Sequence, residues 1–138
     1  MFIKQISVFI ENKPGRLNAI VEILGNNNID ISALSLADTA EYGIVRFIAD
    51  DTERAVQLIR ETGVIVKVTD VLAVPIDNAP GGLSKVLKLF ESKGIGVDYL
   101  YAFVGKTAKN AFVVVKTSDL KAAETVLSEN GIDTSDIK

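Results

Sequence analysis

Ile10-Glu11-Asn12-Lys13-Pro14-Gly15-Arg16-Leu17 ends one apolar run, turns and opens another. The chain writes the phrase again as Ile76-Asp77-Asn78-Ala79-Pro80-Gly81-Gly82-Leu83. The two prolines, at 14 and 80, stand 66 residues apart in a chain of 138, close to half its length. Before each phrase apolar residues alternate, as in Ile6, Val8 and Ile10, which is the period of a half-buried strand with Gln5 and Ser7 on its other face. After each phrase they recur at helical spacing: Leu17, Ile20, Val21 and Leu24, then Leu83, Val86, Leu87 and Phe90. Asn-x-Pro-Gly is therefore a strand-to-helix corner, with Pro14 read as an early helical residue and Asn12 as a cap.

Outward from the corners the two halves keep the same order. Asn26-Asn27-Asn28 stops the first helix, and Ile29–Ala37 and Ile44–Ala49 read as a hairpin about a turn at 40–43. Asp50-Asp51-Thr52 opens a second helix carrying Ala55, Val56 and Ile59, Gly63 closes it, and Val64–Val68 is a short strand. In the second half Val71–Ile76 is a strand and Gly94 ends the first helix. Ile95–Val104 and Ala111–Lys116 are strands joined by Gly105–Asn110. Ser118-Asp119 opens a helix with Leu120, Ala123, Val126 and Leu127, and Gly131 closes it. Ile132–Lys138 is a weak fourth strand. Each half is thus β-α-β-β-α-β, an α+β fold of two tandem ferredoxin-like units over 1–69 and 70–138. Right-handed crossovers place both helices on one face of an antiparallel sheet, with first and third strands central. Pro75 falls in a central strand, where it fits only as a strand end or bulge.

Composition narrows the function. The chain has no cysteine and no histidine, which removes disulfides, thiolate chemistry, sulfur-ligated zinc and the commonest general base. A formal charge of −3 argues against a nucleic-acid partner, and Phe9, Phe47 and Phe112 lack the basic complement of an RNA-binding sheet. No run of about 18 apolar residues suggests a membrane span. The expectation is a cytoplasmic protein with no cofactor, no metal and no catalytic residues.

A tandem β-α-β-β-α-β with Asn-x-Pro-Gly-x-Leu between first strand and first helix resembles the ACT domain family, over essentially the whole chain. The resemblance implies small regulatory modules of amino-acid metabolism that pair side by side through their second strands and bind an amino acid at the seam. Ligand-binding residues would then be Asn12, Lys13, Pro14, Gly15, Arg16 and Leu17, and Asn78, Ala79, Pro80, Gly81, Gly82 and Leu83. Asp30, Ser32 and Asp98, at the starts of second strands, would complete them. A homodimer and a regulated enzyme are the implied partners.

The residues themselves support part of this. The first N–H groups of a helix lack internal acceptors and carry partial positive charge, so a carboxylate suits the amides of Gly15, Arg16 and Leu17, and of Gly81, Gly82 and Leu83. Asn12 and Asn78 offer both donor and acceptor to a zwitterion. Aligned from the helix ends, Asp30 corresponds to Gly96 and Asp98 to Ser32, so the two corners are not equivalent. Other readings stay open. The phrase also makes a plain turn and cap; Asp30 and Asp98 suit solvated strand positions, and Arg16 a surface pair with Glu11. Tyr99 and Tyr101 suit packing. Arg16 with Asn12 imitates the anion cradle of a small ferredoxin-like hydrolase, and a ligand-free oligomerisation module has the same pattern.

Overall fold

A computed structural model describes residues 1–38, 41–104 and 110–134. Its elements are β1 (Ile3–Glu11), α1 (Arg16–Asn26), β2 (Ile31–Asp38), β3 (Tyr42–Ala49), α2 (Thr52–Arg60), β4 (Ile65–Asp77), α3 (Gly82–Ser92), β5 (Val97–Ala102), β6 (Asn110–Thr117) and α4 (Leu120–Glu129). The fold is α+β and ferredoxin-like. Two compact units share it: Lys4–Thr69, and Met1–Ile3 together with Asp70–Lys138.

In the first unit the strands lie in the order β2-β3-β1-β4, with β1 and β3 central. The antiparallel register of β1 and β3 sets Ile6 against Phe47 and Val8 against Val45. All four are buried with Ile20 and Leu24 of α1 and Ala55, Val56 and Ile59 of α2, so both helices cover one sheet face. Asp51 caps α2 by accepting from the Arg54 N–H at 3.2 Å, as the paired acids at its start imply. The other face of β1 departs from expectation. Gln5 and Ser7 are buried as well, and Gln5 Nε2 donates to Ser7 Oγ at 3.4 Å. A strand buried on both faces need not alternate, provided its polar groups find partners.

In the second unit the order is β4-β6-β5. Leu72 and Val74 of β4 and Val113 and Val115 of β6 pack under Val86 and Phe90 of α3 and Ala123, Val126 and Leu127 of α4. Asp119 caps α4 by accepting from the Ala122 N–H at 3.0 Å. Pro75 stands opposite Phe112 in a register unbroken from Leu72 to Asp77; it is near the strand end, and there is no bulge. Bulges occur instead at the same place in each copy, between Ile31 and Ala33 and between Val97 and Tyr99.

Two strands differ from the sequence reading. Val64–Val68 and Val71–Ile76 are not separate: β4 runs without a break, Ile65–Thr69 in the first unit and Asp70–Asp77 in the second. Nothing at Thr69-Asp70 can break it, because neither glycine nor proline stands there. The weak strand at Ile132–Lys138 does not form over Ile132–Thr134, and the remainder lies outside the described residues, as does most of the loop read at Gly105–Asn110. Phe2, from the other end of the chain, packs against the second core.

Candidate ligand-binding site

The two corners have the same backbone. Lys13 and Ala79 donate their N–H to the carbonyls of Glu11 and Asp77 at 2.9 and 2.8 Å, and Arg16 and Gly82 donate to Lys13 and Ala79 at 3.2 and 3.0 Å. The first bonds spanning a full helical turn run from Ala19 to Gly15 and from Lys85 to Gly81, at 3.0 and 3.2 Å. Gly15 and Gly81 precede the helices with φ of 86° and 85°, a left-handed conformation that explains glycine at both. This corrects three expectations. Pro14 lies in the turn and not in the helix; Asn12 makes no cap; and the amides of Arg16 and Gly82 are already spent. Among the described residues, the N–H groups left without an acceptor are those of Gly15, Leu17 and Asn18, and of Gly81, Leu83 and Ser84. The side chains of Leu17 and Leu83 pack on the cores, so only their amides face outward chemistry.

The side chains make the corners different. In the first, Asn12 Nδ2 donates to Asp38 Oδ1 at 3.3 Å and the Asn12 N–H donates to the Glu41 carbonyl at 3.2 Å, tying the corner to the ends of β2 and β3. Lys13 Nζ lies 3.1 Å from Glu11 Oε2, and Arg16 Nη2 lies 3.5 Å from Glu11 Oε1. The Lys13 hydrogen bond and charge, followed by the Arg16 charge, hold the Glu11 carboxyl below its ordinary range. In the second corner Val104 occupies the position of Asp38, and among the described residues the Asn78 side chain makes no hydrogen bond. Lys85 Nζ pairs with Asp77 Oδ2 at 2.9 Å. Ile76–Ser84 and Ala111 line a cleft of about 560 Å³ there.

Gly82 does not widen that cleft, as two successive glycines suggest. A Cβ on it would come within 2.1 Å of the Asp77 carbonyl oxygen, so the missing side chain is filled by backbone. Position 16 carries an arginine in the first copy, and the two helix starts therefore meet their strands differently.

The remaining predicted residues lie elsewhere. Asp30 precedes β2, where its N–H donates to Asp50 Oδ1 at 3.0 Å and its carbonyl accepts from the Asp50 N–H at 3.1 Å. Gly96 and Ser118 repeat the pair at 3.1 and 2.9 Å, which confirms the alignment of Asp30 with Gly96. Ser32 and Asp98 both sit at the bulges, with Asp98 Oδ2 3.9 Å from Lys116 Nζ. In both units these positions are at the opposite end of the second strand from that unit's own corner: β2 begins against Ala49, whereas Glu11 pairs with Tyr42. Sequence reasoning missed Asp38 and Asp77 as partners of the corners, although the cation spacing of Lys85 behind Asp77 was there to read. Among the described residues no group of carboxylates could hold a metal ion, and no helix is long and apolar enough to cross a membrane.

The model of the ACT domain pair matches residues 1–136. The chain belongs to the ACT domain pair family. Among solved structures, this ACT pair is similar to protein BT0572 from Bacteroides thetaiotaomicron, with 36% identity, 96% of this chain and 91% of that one covered, and a TM-score of 0.89. It shares its fold with the ligand-free regulatory subunit of aspartate kinase from Thermus thermophilus, at 15% identity, 91% of each chain and a TM-score of 0.69. The regulatory subunit of aspartate kinase from Thermus flavus is similar too, at 15% identity, 91% and 90% coverage and a TM-score of 0.62. No curated protein matches the ACT pair by sequence.

Proposed function

We propose that this ACT pair is a non-catalytic regulatory module that binds a small amino acid at the Asn78–Leu83 corner and passes the bound state to an enzyme of amino-acid metabolism. The observation that carries the reading is the asymmetry of the corners. Among the described residues, the second keeps the open amides of Gly81, Leu83 and Ser84 and an uncommitted Asn78 over a 560 Å³ cleft, while Asp38 and Glu41 occupy Asn12 in the first. An α-carboxylate is bound by the amides at the positive end of α3, and the Asn78 carbonyl accepts from the α-ammonium. Asp30, Ser32 and Asp98 reach such a ligand only from another ACT unit, and a homodimer is the proposed assembly. The bound form is then the better-packed one, which is what a sensor requires.

Thermal unfolding with each of the twenty amino acids tests this. At about 100 times its dissociation constant a ligand adds roughly 2.7 kcal/mol of stability. Asn78→Ala is expected to abolish the shift and Asn12→Ala to leave most of it; no shift with any amino acid at saturating concentration refutes the proposal. No observation favours the hydrolase reading, because Arg16 is held by Glu11 and Asn12 by Asp38.

A further inference from the structure

Asn130-Gly131 is the one Asn-Gly step in the chain, and it stands where α4 ends. Such a step is chemically labile. Glycine has no Cβ to shield its backbone nitrogen, which can attack the side-chain carbonyl carbon of the asparagine before it. In the native turn that attack is held off on both sides. Asn130 Nδ2 donates to the Val126 carbonyl at 2.8 Å, which fixes the side chain back along the helix. The Gly131 N–H donates to the Ser128 carbonyl at 3.1 Å, so the nucleophilic nitrogen is itself engaged. Asn130 N–H and Ile132 N–H both donate to the Leu127 carbonyl, at 3.1 and 2.9 Å, closing the turn around a Gly131 with φ of 75°.

We infer that Asn130 is a deamidation site gated by the last turn of α4, and that its conversion loosens the second unit next to the Asn78–Leu83 corner. When the turn opens, the Gly131 nitrogen bonds to the Asn130 side-chain carbon. The bond to Nδ2 breaks, and ammonia leaves with the proton given up by the Gly131 nitrogen. Water opens the resulting five-membered imide at one carbonyl or the other, leaving aspartate or isoaspartate. Either product has lost the donor to Val126 and sets a carboxylate beside that freed carbonyl at the negative end of α4. Isoaspartate also adds a methylene to the main chain just before Gly131. That displaces Ile132, which packs on the second core, and shifts the Gly131–Asp133 wall of a 270 Å³ cleft whose other wall includes Pro75, Asp77 and Phe112. Asp77 and Ile76 line the corner's cleft as well, so the two clefts share a wall.

The experiment is incubation of the full chain at mildly alkaline pH, folded and in urea, followed by trypsin and mass spectrometry. The peptide that begins at Ala122, after Lys121, contains Asn130 as its single asparagine. In urea the amide-to-acid shift is expected at Asn130 before any other asparagine. In the folded chain the same shift is expected roughly tenfold or more slowly, because only the opened turn reacts. Equal rates in the two states, or faster conversion of another asparagine in urea, overturn the proposal. Asn130→Asp supplies the second readout, since the chain need not be aged to make it. Its melting temperature is expected to fall, with faster amide exchange in α4 and unchanged exchange in β2 and β3; an unaltered melting temperature overturns the claim that conversion loosens the unit.

Discussion

Gly82 and Gly15 are both corner glycines, yet they are glycine for different reasons. A methyl group on Gly82 meets the Asp77 carbonyl oxygen at 2.1 Å, while one on Gly15 meets nothing within 4 Å and strains only the backbone. Gly15→Ala is expected to cost about 1–2 kcal/mol, the left-handed penalty alone. Gly82→Ala forces α3 away from β4 and is expected to cost about 1–3 kcal/mol, with loss of amino-acid binding if the corner is the site. Urea titration compares them directly. Thr117 presents the reverse case: it is fully buried at the end of β6, and among the described residues its Oγ1 has no hydrogen-bond partner. Replacing that hydroxyl by a methyl removes an uncompensated polar group, so Thr117→Val is expected to raise stability by up to about 1 kcal/mol in the same titration. Glu11 adds a dependence on pH. Its carboxyl titrates lower in the folded chain than in the unfolded one, so its contribution is present above the unfolded value and disappears as pH falls through the folded one. The urea midpoint of Glu11→Gln should therefore fall less than that of the natural chain between mildly and strongly acidic pH.

At the scale of elements, all four helices stand on their buried stripes, and α2 and α4 also on one capping acid each, whereas α1 and α3 start at glycines without a side-chain cap. Asp51 and Asp119 accept from the third residue beyond, so Asp51→Ala and Asp119→Ala are each expected to cost about 1 kcal/mol. Phe90 is almost wholly buried, and Phe90→Ala is expected to cost about 3–5 kcal/mol. These elements were legible in the sequence because the signals are local: a spacing of three and four, an aspartate, a closing glycine. What was not legible depended on neighbours remote along the chain. Gln5 and Ser7 read as solvent-facing because they are polar, and no spacing within β1 records that the chain buries that face too. The corners were recognisable as corners from Asn-x-Pro-Gly. That Asn12 is held and Asn78, among the described residues, is not depends on residue 38 against residue 104, which no pattern within the phrase records.

Over the whole molecule, the unit boundary does not follow the order of the chain. Met1–Ile3 belongs with Asp70–Lys138, and Phe2 packs on the core of that unit. Phe2→Ala is expected to speed amide exchange in α3, α4 and β6 while α1 and α2 keep their protection; uniform acceleration would show that Phe2 does not act within the second unit. β4 likewise crosses the unit boundary, running from Ile65 to Asp77, with its Leu72–Asp77 stretch laddered to β6. A repeat protein ordinarily has a connector that proteases find and that insertions lengthen without harm. Here a single extra residue within Leu72–Asp77 would turn the side chains beyond it to the wrong face of the second unit's sheet. The seam of this duplication is thus a strand, with no loop there for scissors to find.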